Sequence, residues 1–268
     1  MGPLVDLTER GSSRAALVLA RLVVAGQSQL LVPYVAAGTK WLPRVIEQMP
    51  NTQGPFSAAL ALVTLGIDKG VLEPEQLKVY IRHLKAAGAW ADAYSVWVAL
   101  HRRTLPLLYN GGFDGPFQQD GFDWELTAQH PIARIGAVID RRSEEGRGAV
   151  LDIRFTGRPI ALPMLRQTVF LDKGRYRLRG QYKTAQLRMD EGLAWVVRCG
   201  PKDAQAAKSA SLDETANAWK PFEFDFWVPV NCGWVAGLQL ETFAPIEATL
   251  GSRGRASFDA LTLEKVNQ

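Results

Sequence analysis

Four acids are the residues best placed to do chemistry in this chain: Asp152, Glu223, Asp225 and Glu241 all fall in the outward phase of strand-like runs. Two carboxylates facing each other across a cleft can hydrolyse a glycosidic bond. A linear sequence does not set that separation, and acids that alternate with apolar residues usually form a solvated face. His83, His101 and His130 are isolated from one another, and the two cysteines have no partners at zinc-ligand spacing. The chain contains no Gly-x-Ser-x-Gly elbow, phosphate loop or dinucleotide fingerprint. The expectation is a protein that binds and does not catalyse.

Cys199 closes the run LAWVVRC and Cys232 opens CGWVAGLQL, both in the inward phase. If those strands pair or face each other, the two can form a disulfide, which implies an oxidising compartment. Otherwise they are two buried thiols acting as small hydrophobes.

The elements that must position these residues differ between the two halves. From Ser12 to Arg103 the apolar spacing is helical, as in Leu77, Ile81 and Leu84, or Trp90, Tyr94 and Trp97. About five helices are expected: Ser12–Ala25, a broken one over Gln29–Met49 with Pro33 and Pro43, Pro55–Ile67, Pro74–Ala87 and Trp90–Arg103. AALVLARLVVAG from Ala15 echoes AALALVTLGIDKG from Ala58, which is either a helical repeat or chance similarity in an unrepeated bundle. After Asn110 the period becomes two. AVLDIRF, GRYRLRGQYKT, GLAWVVRC, PFEFDFWVP, CGWVAGLQLETF and ASFDALTLEKV belong to about nine strands, each with one core face and one wet face. Many antiparallel strands without intervening helices make a two-sheet sandwich or jelly roll. The fold expected is therefore α plus all-β in two domains: a solenoid-like helical repeat over residues 1–108 and a jelly roll over 109–268.

The net charge of +4 arises entirely in the first domain, with eleven Lys and Arg against seven Asp and Glu in 1–108 and twenty of each in 109–268. Those cations are scattered, whereas nucleic-acid binding needs a dense basic face, so no nucleic-acid partner is expected. The apolar runs Ala15–Ala20 and Leu60–Leu65 are too short to span a bilayer, and MGPLVDLTER lacks the basic start and apolar stretch of a signal peptide.

Three motifs in order carry a resemblance. They are Asn110-Gly-Gly-Phe113-Asp114 with Gly121-Phe122-Asp123-Trp124, then Asp172-Lys-Gly174-Arg-Tyr176-Arg-Leu178, then Phe258-Asp259-Ala-Leu-Thr-Leu263. Over Asn110–Val266 the chain resembles carbohydrate-binding modules of the family 4, 9 and 22 jelly-roll type. The preceding pair Glu75–Arg103 resembles tetratricopeptide repeats, and a helical segment leading into such a module resembles bacterial proteins of surface-polysaccharide production.

The resemblance implies non-catalytic binding of a polysaccharide or oligosaccharide in a periplasmic or extracellular bacterial setting. It also implies a structural Ca²⁺ held by Asp114 and Asp259, where the family usually has Glu at the first position. Without the ion, both acids would satisfy turn amides. It further implies a sugar platform of aromatic faces with hydrogen-bonding side chains beside them. By alternation this would use Trp227, Glu223, Asp225, Arg198 and Gln239 on wet faces, with Trp219 and Trp124 at strand edges. Trp195 and Trp234 fall in the inward phase and are expected in the core. The alternative is an interaction scaffold that binds a protein partner through the helical domain and has no glycan ligand.

Overall fold

The computed structural model describes residues 1–102, 104–118, 120–126, 136–200 and 203–266, so His130 lies outside the described residues. Contacts divide the chain into two units, Met1–Leu105 and Pro106–Gln268.

In the first unit, α1 (Gly2–Glu9) joins α2 (Ser13–Leu22), α3 (Trp41–Gln48), α4 (Leu60–Asp68), α5 (Pro74–Ala86) and α6 (Trp90–His101). The sequence reading missed α1. Its last residue has a job in the next layer, because the Glu9 carboxylate accepts from the backbone N–H groups of Lys40 and Trp41 at the start of α3. An acid there meets unpaired amides and the positive end of the helix dipole. Arg44 returns from α3 to the carbonyls of Thr8 and Glu9. α5 starts on Pro74, with the Gln76 side chain accepting from the Glu73 backbone N–H, and Arg102 ends α6 in the left-handed conformation at φ 49°. α6 turns Ala93, Val96 and Trp97 inward and leaves Trp90 and Tyr94 half-buried, a face rotated from the one the aromatic spacing suggests.

Between α2 and α3 the broken helix becomes short π and 3-10 turns. Gly26 sits at φ 82°, and Pro33 lies within the turn Val32–Tyr34. α1–α4 have eight to ten residues each, and only α5 and α6 make a longer hairpin. These elements do not establish a tetratricopeptide-like array. None of the described helices is long and apolar enough to cross a membrane.

The second unit is a sandwich of two five-stranded antiparallel sheets, which fits a jelly roll. Its strands are β1 (Glu125–Leu126), β2 (Ala137–Glu144), β3 (Gly148–Thr156), β4 (Leu165–Phe170), β5 (Gly174–Ala185), β6 (Leu193–Cys199), β7 (Ala204–Lys208), β8 (Lys220–Val228), β9 (Val235–Thr242) and β10 (Arg253–Lys265), with a short helix α7 (Pro245–Leu250) before β10. One sheet, here called the β9 sheet, runs β1-β4-β9-β6-β7, and the other, the β10 sheet, runs β2-β3-β10-β5-β8.

Alternation places Leu165, Val169, Leu238, Leu240, Trp195 and Val197 of the β9 sheet against Leu151, Ile153, Leu178, Phe226 and Phe258 of the β10 sheet. An aromatic chain crosses between them: Trp124 lies 5.9 Å from Trp195, which packs edge-on to Phe258 at 5.6 Å. A disulfide joins Cys199 at the end of β6 to Cys232 in the 3-10 turn before β9, with Cα atoms 4.6 Å apart and both residues buried.

The opening motif is knotted to this core. Asn110 at φ 52° exchanges hydrogen bonds with Gly115 through its side-chain amide, at 3.1 Å each way. Its backbone carbonyl accepts from the Trp124 indole N–H at 3.0 Å. Gly111 must be glycine, since a Cβ there would lie 2.1 Å from the Leu261 carbonyl oxygen of β10.

Candidate functional site

The residues expected to form one sugar platform are on opposite sides of the sandwich. Alternation gave their phase correctly but could not say to which sheet each belongs. Glu223, Asp225 and Trp227 lie on the outer face of the β10 sheet, and Arg198 and Gln239 on the outer face of the β9 sheet. Trp124 belongs to neither face. It is fully buried, stacked on Phe113 at 5.6 Å, because its indole N–H finds a partner inside, in the Asn110 carbonyl.

On the β10 sheet the acids are already committed. Arg175 donates to Asp225 at 2.6 Å, Arg177 bridges Asp225 and Glu223, and Arg179 bridges Glu223 at 2.7 Å and Glu264 at 3.0 Å. Hydrogen bonds from Arg177 foremost, and then from Arg175, hold the Asp225 carboxyl at about 2 against partial desolvation. A folded pKa below the unfolded one gives a contribution that is complete above the unfolded value near 4 and is lost as pH falls through about 2. In a carboxyl-carbon NMR titration Asp225 should therefore titrate near 2, and a midpoint at the ordinary aspartate value would remove the ladder as an account of this face.

Trp227 stays 53% exposed at the end of this ladder. Trp219, half-buried, donates to Glu144 at 3.0 Å, while the Arg147 guanidinium and the Lys183 ammonium lie 4.3 and 5.0 Å from its ring centre. Cations already lie against this ring. Burial alone would raise the Glu144 pKa, but hydrogen bonds from Lys183 and Trp219, with the charges of Lys183 and Arg142, outweigh it and hold the carboxyl below its ordinary value.

The outer face of the β9 sheet combines flat polar groups with aromatic rings. Arg198 donates through Nε to Gln239 at 3.0 Å and through Nη2 to both oxygens of Glu241, at 2.9 and 3.0 Å. Arg166, directly opposite Gln239 on β4, pairs with Asp203 at 3.3 Å and lies across Gly237, where a Cβ would come within 2.9 Å of its Nε. At the other end of β4 and β9, Trp234 stacks on Phe170 at 4.6 Å and 29°, and Phe122 meets Phe170 edge-on at 4.9 Å.

Trp234 is 41% exposed and not in the core. The inward assignment fails because β9 begins at Val235. Trp234 follows Gly233 at φ 71°, outside the strand whose alternation was extrapolated to it. Sequence reasoning also missed Arg166, Phe170 and Asp203. Arg166 and Phe170 share an outward phase with Thr168 in LRQTVF, a run that none of the expected strands included.

Asp114 and Asp259 do not fit a calcium ion. Asp259 Oδ2 accepts from Arg147 Nη1 at 3.0 Å, its Oδ1 accepts from the Ala260 backbone N–H, and Arg147 Nη2 donates to the Gln181 side-chain Oε1. Asp114 is exposed, and no group of three His, Cys, Asp or Glu stands together among the described residues. Calcium needs several oxygen ligands around it, and here a guanidinium already supplies the positive charge at Asp259. The melting temperature of the chain should be the same in chelator and in millimolar calcium, and a calcium-dependent rise would contradict this reading.

No known protein family and no curated protein matches the chain. Among solved structures it is similar to one described as "CBM4 structure and function", at 15% identity and TM-score 0.43 over 59% of this chain and 99% of that one. It is also similar to the CBM22-1 xylan-binding domain of Paenibacillus barcinonensis Xyn10C, at 17% and 0.39 over 59% and 93%. A third is a family 16 carbohydrate-binding module, at 17% and 0.39 over 59% and 99%. Likeness at this level assigns neither a family nor a ligand.

Proposed function

We propose that the β unit binds a polysaccharide or oligosaccharide, without catalysis, on the outer face of the β9 sheet. The observation that carries this is the Trp234–Phe170 stack, with Trp234 exposed, at one end of β4 and β9. Arg166 and Arg198 lie further along the same face, where buried Gln239, together with Glu241, holds Arg198 in place. An aromatic plane receives the C–H face of a sugar, and guanidinium N–H groups donate to neighbouring ring hydroxyls. Against catalysis, Asp152, Glu223, Asp225 and Glu241 are each paired with arginine, and Glu241 lies on the opposite sheet from the other three.

The Cys199–Cys232 bond supports an oxidising, periplasmic or extracellular setting. The resemblance of the helical segment leading into the Asn110 motif supports a role in bacterial surface or exopolysaccharide handling. A second reading, a protein contact through the helical unit, is favoured by Leu30, Val32 and Tyr34, exposed together in consecutive turns. Affinity electrophoresis against a panel of neutral polysaccharides tests the main reading. Trp234→Ala should weaken the interaction about tenfold or more, equivalent to ~1.4 kcal/mol, with Trp227→Ala unchanged. The reverse ranking, or no retention by any polymer, would remove the β9 face as the site.

A further inference from the structure

A cavity of about 890 Å³ opens on the outer face of the β10 sheet, on the side of the sandwich away from Trp234. β2 contributes Arg142 and Glu144, β5 contributes Lys183, β10 contributes Arg255, and the segment before β8 contributes Asn217.

Its backbone is unusual. Of the eight described non-glycine residues at positive φ, three line this one cavity: Gln186 at 53°, Ala216 at 53° and Asn217 at 65°. Asparagine tolerates that region, but alanine and glutamine adopt it only at a cost. Strain of this kind collects where a ligand is clamped.

The acids around the cavity are mostly spent. Glu144 accepts from Lys183 and Trp219 on one oxygen and from Arg142 on the other. Glu214 accepts backbone N–H groups on both oxygens, from Leu187 and Ala216. Asp152 Oδ1 accepts from Ser257 and lies 3.3 Å from Arg255 Nε and 3.6 Å from Arg142 Nε, and the latter atom is buried without a hydrogen bond. Only Glu145, exposed, lacks a described partner.

The donors are not spent. Asp152 pins Arg255 by Nε alone, which leaves its two Nη groups without a described partner on a side chain 44% exposed. Directly opposite Arg255 across the β3–β10 ladder stands Arg154, also exposed and also without a described partner. Like charges facing each other on a sheet are destabilising, and the described counter-charge, Asp152, meets Arg255 alone of the two.

We propose that this cavity is a second ligand site, which takes the carboxylate of an acidic saccharide on the guanidinium fork of Arg255, with Arg154 adding charge and the Asn217 amide meeting a neighbouring hydroxyl. A planar carboxylate accepts two parallel guanidinium N–H groups with its charge spread over both oxygens, so it is held more tightly than the uncharged hydroxyls of a neutral sugar. The site is independent of the β9 face, and either can fail without the other.

Affinity electrophoresis of the full chain in gels containing polygalacturonate, a sulfated dextran or a neutral galactan tests it. Wild type should be retarded most by polygalacturonate. Arg255→Gln should weaken that retention about tenfold, Arg255→Lys should weaken it several-fold despite keeping the charge, and Trp234→Ala should leave it intact. Arg10→Gln removes the same charge from the first unit and should have no effect. Arg255 touches the fold through one nitrogen, so its variants should keep the wild-type unfolding midpoint. The proposal is overturned by absent retention on polygalacturonate, by stronger retention on sulfated dextran, by full affinity in Arg255→Lys, or by equal loss in Arg10→Gln.

Discussion

Trp124→Ala is expected to cost the β unit about 3–5 kcal/mol, a large share of the roughly 5–15 kcal/mol that a domain has. The side chain is fully buried and stacks on Phe113, with Trp195 beyond it. Removing it leaves an apolar void at the junction of the opening motif and the core, which the surrounding rings can fill only in part. It also removes one of two donors to the Asn110 carbonyl, which keeps the Phe113 backbone N–H, so this loss adds about 1 kcal/mol at most. Trp124→Phe keeps most of the ring and should cost less than half as much. Urea unfolding followed by far-UV circular dichroism gives both values. A loss under 1 kcal/mol for the alanine variant would mean that the motif is not seated as described.

Opening the Cys199–Cys232 bond comes second. The cross-link closes a loop with a sequence separation of 33, for which the chain-entropy account gives about 3–4 kcal/mol at room temperature. Both residues are buried, so the thiols would remain in the core and the loss would come mainly from a freer unfolded chain. The Cys199→Ala, Cys232→Ala double variant should lower the urea midpoint without abolishing folding. An unchanged midpoint under reducing and oxidising conditions would show that the bond does not constrain the unfolded chain.

Much of the β unit is legible in its sequence because period-two alternation is a local property. GRYRLRGQYKT and PFEFDFWVP give β5 and β8 their inner faces directly. The same rule says nothing about which sheet a strand joins, and for that reason Trp227 and Arg198 read as one platform although they face opposite ways. Trp234 shows where phase stops carrying information, at the first residue outside the strand. Arg147 and Asp259 stand 112 residues apart, and no spacing could announce that a guanidinium would answer that carboxylate. In the helical half, α1 escaped notice because its apolar face is short and Glu9 acts on α3, across 31 residues.

β10 has a further consequence, for the timing of folding. It lies in the middle of its sheet, hydrogen-bonded to β3 on one side and β5 on the other, and its Leu261 N–H donates to the Gly111 carbonyl of the opening motif. The strand made last of the ten is thus the one on which the first loop closes. As the chain leaves the ribosome, the helical unit can assemble from its own residues, while β3 and β5, the strands on either side of the place β10 will take, each keep an open edge for a partner still being translated. Such far-apart pairings fold slowly. The β unit therefore spends its synthesis as an incomplete sheet, with two strand edges open to wrong partners until Leu261 and its neighbours arrive.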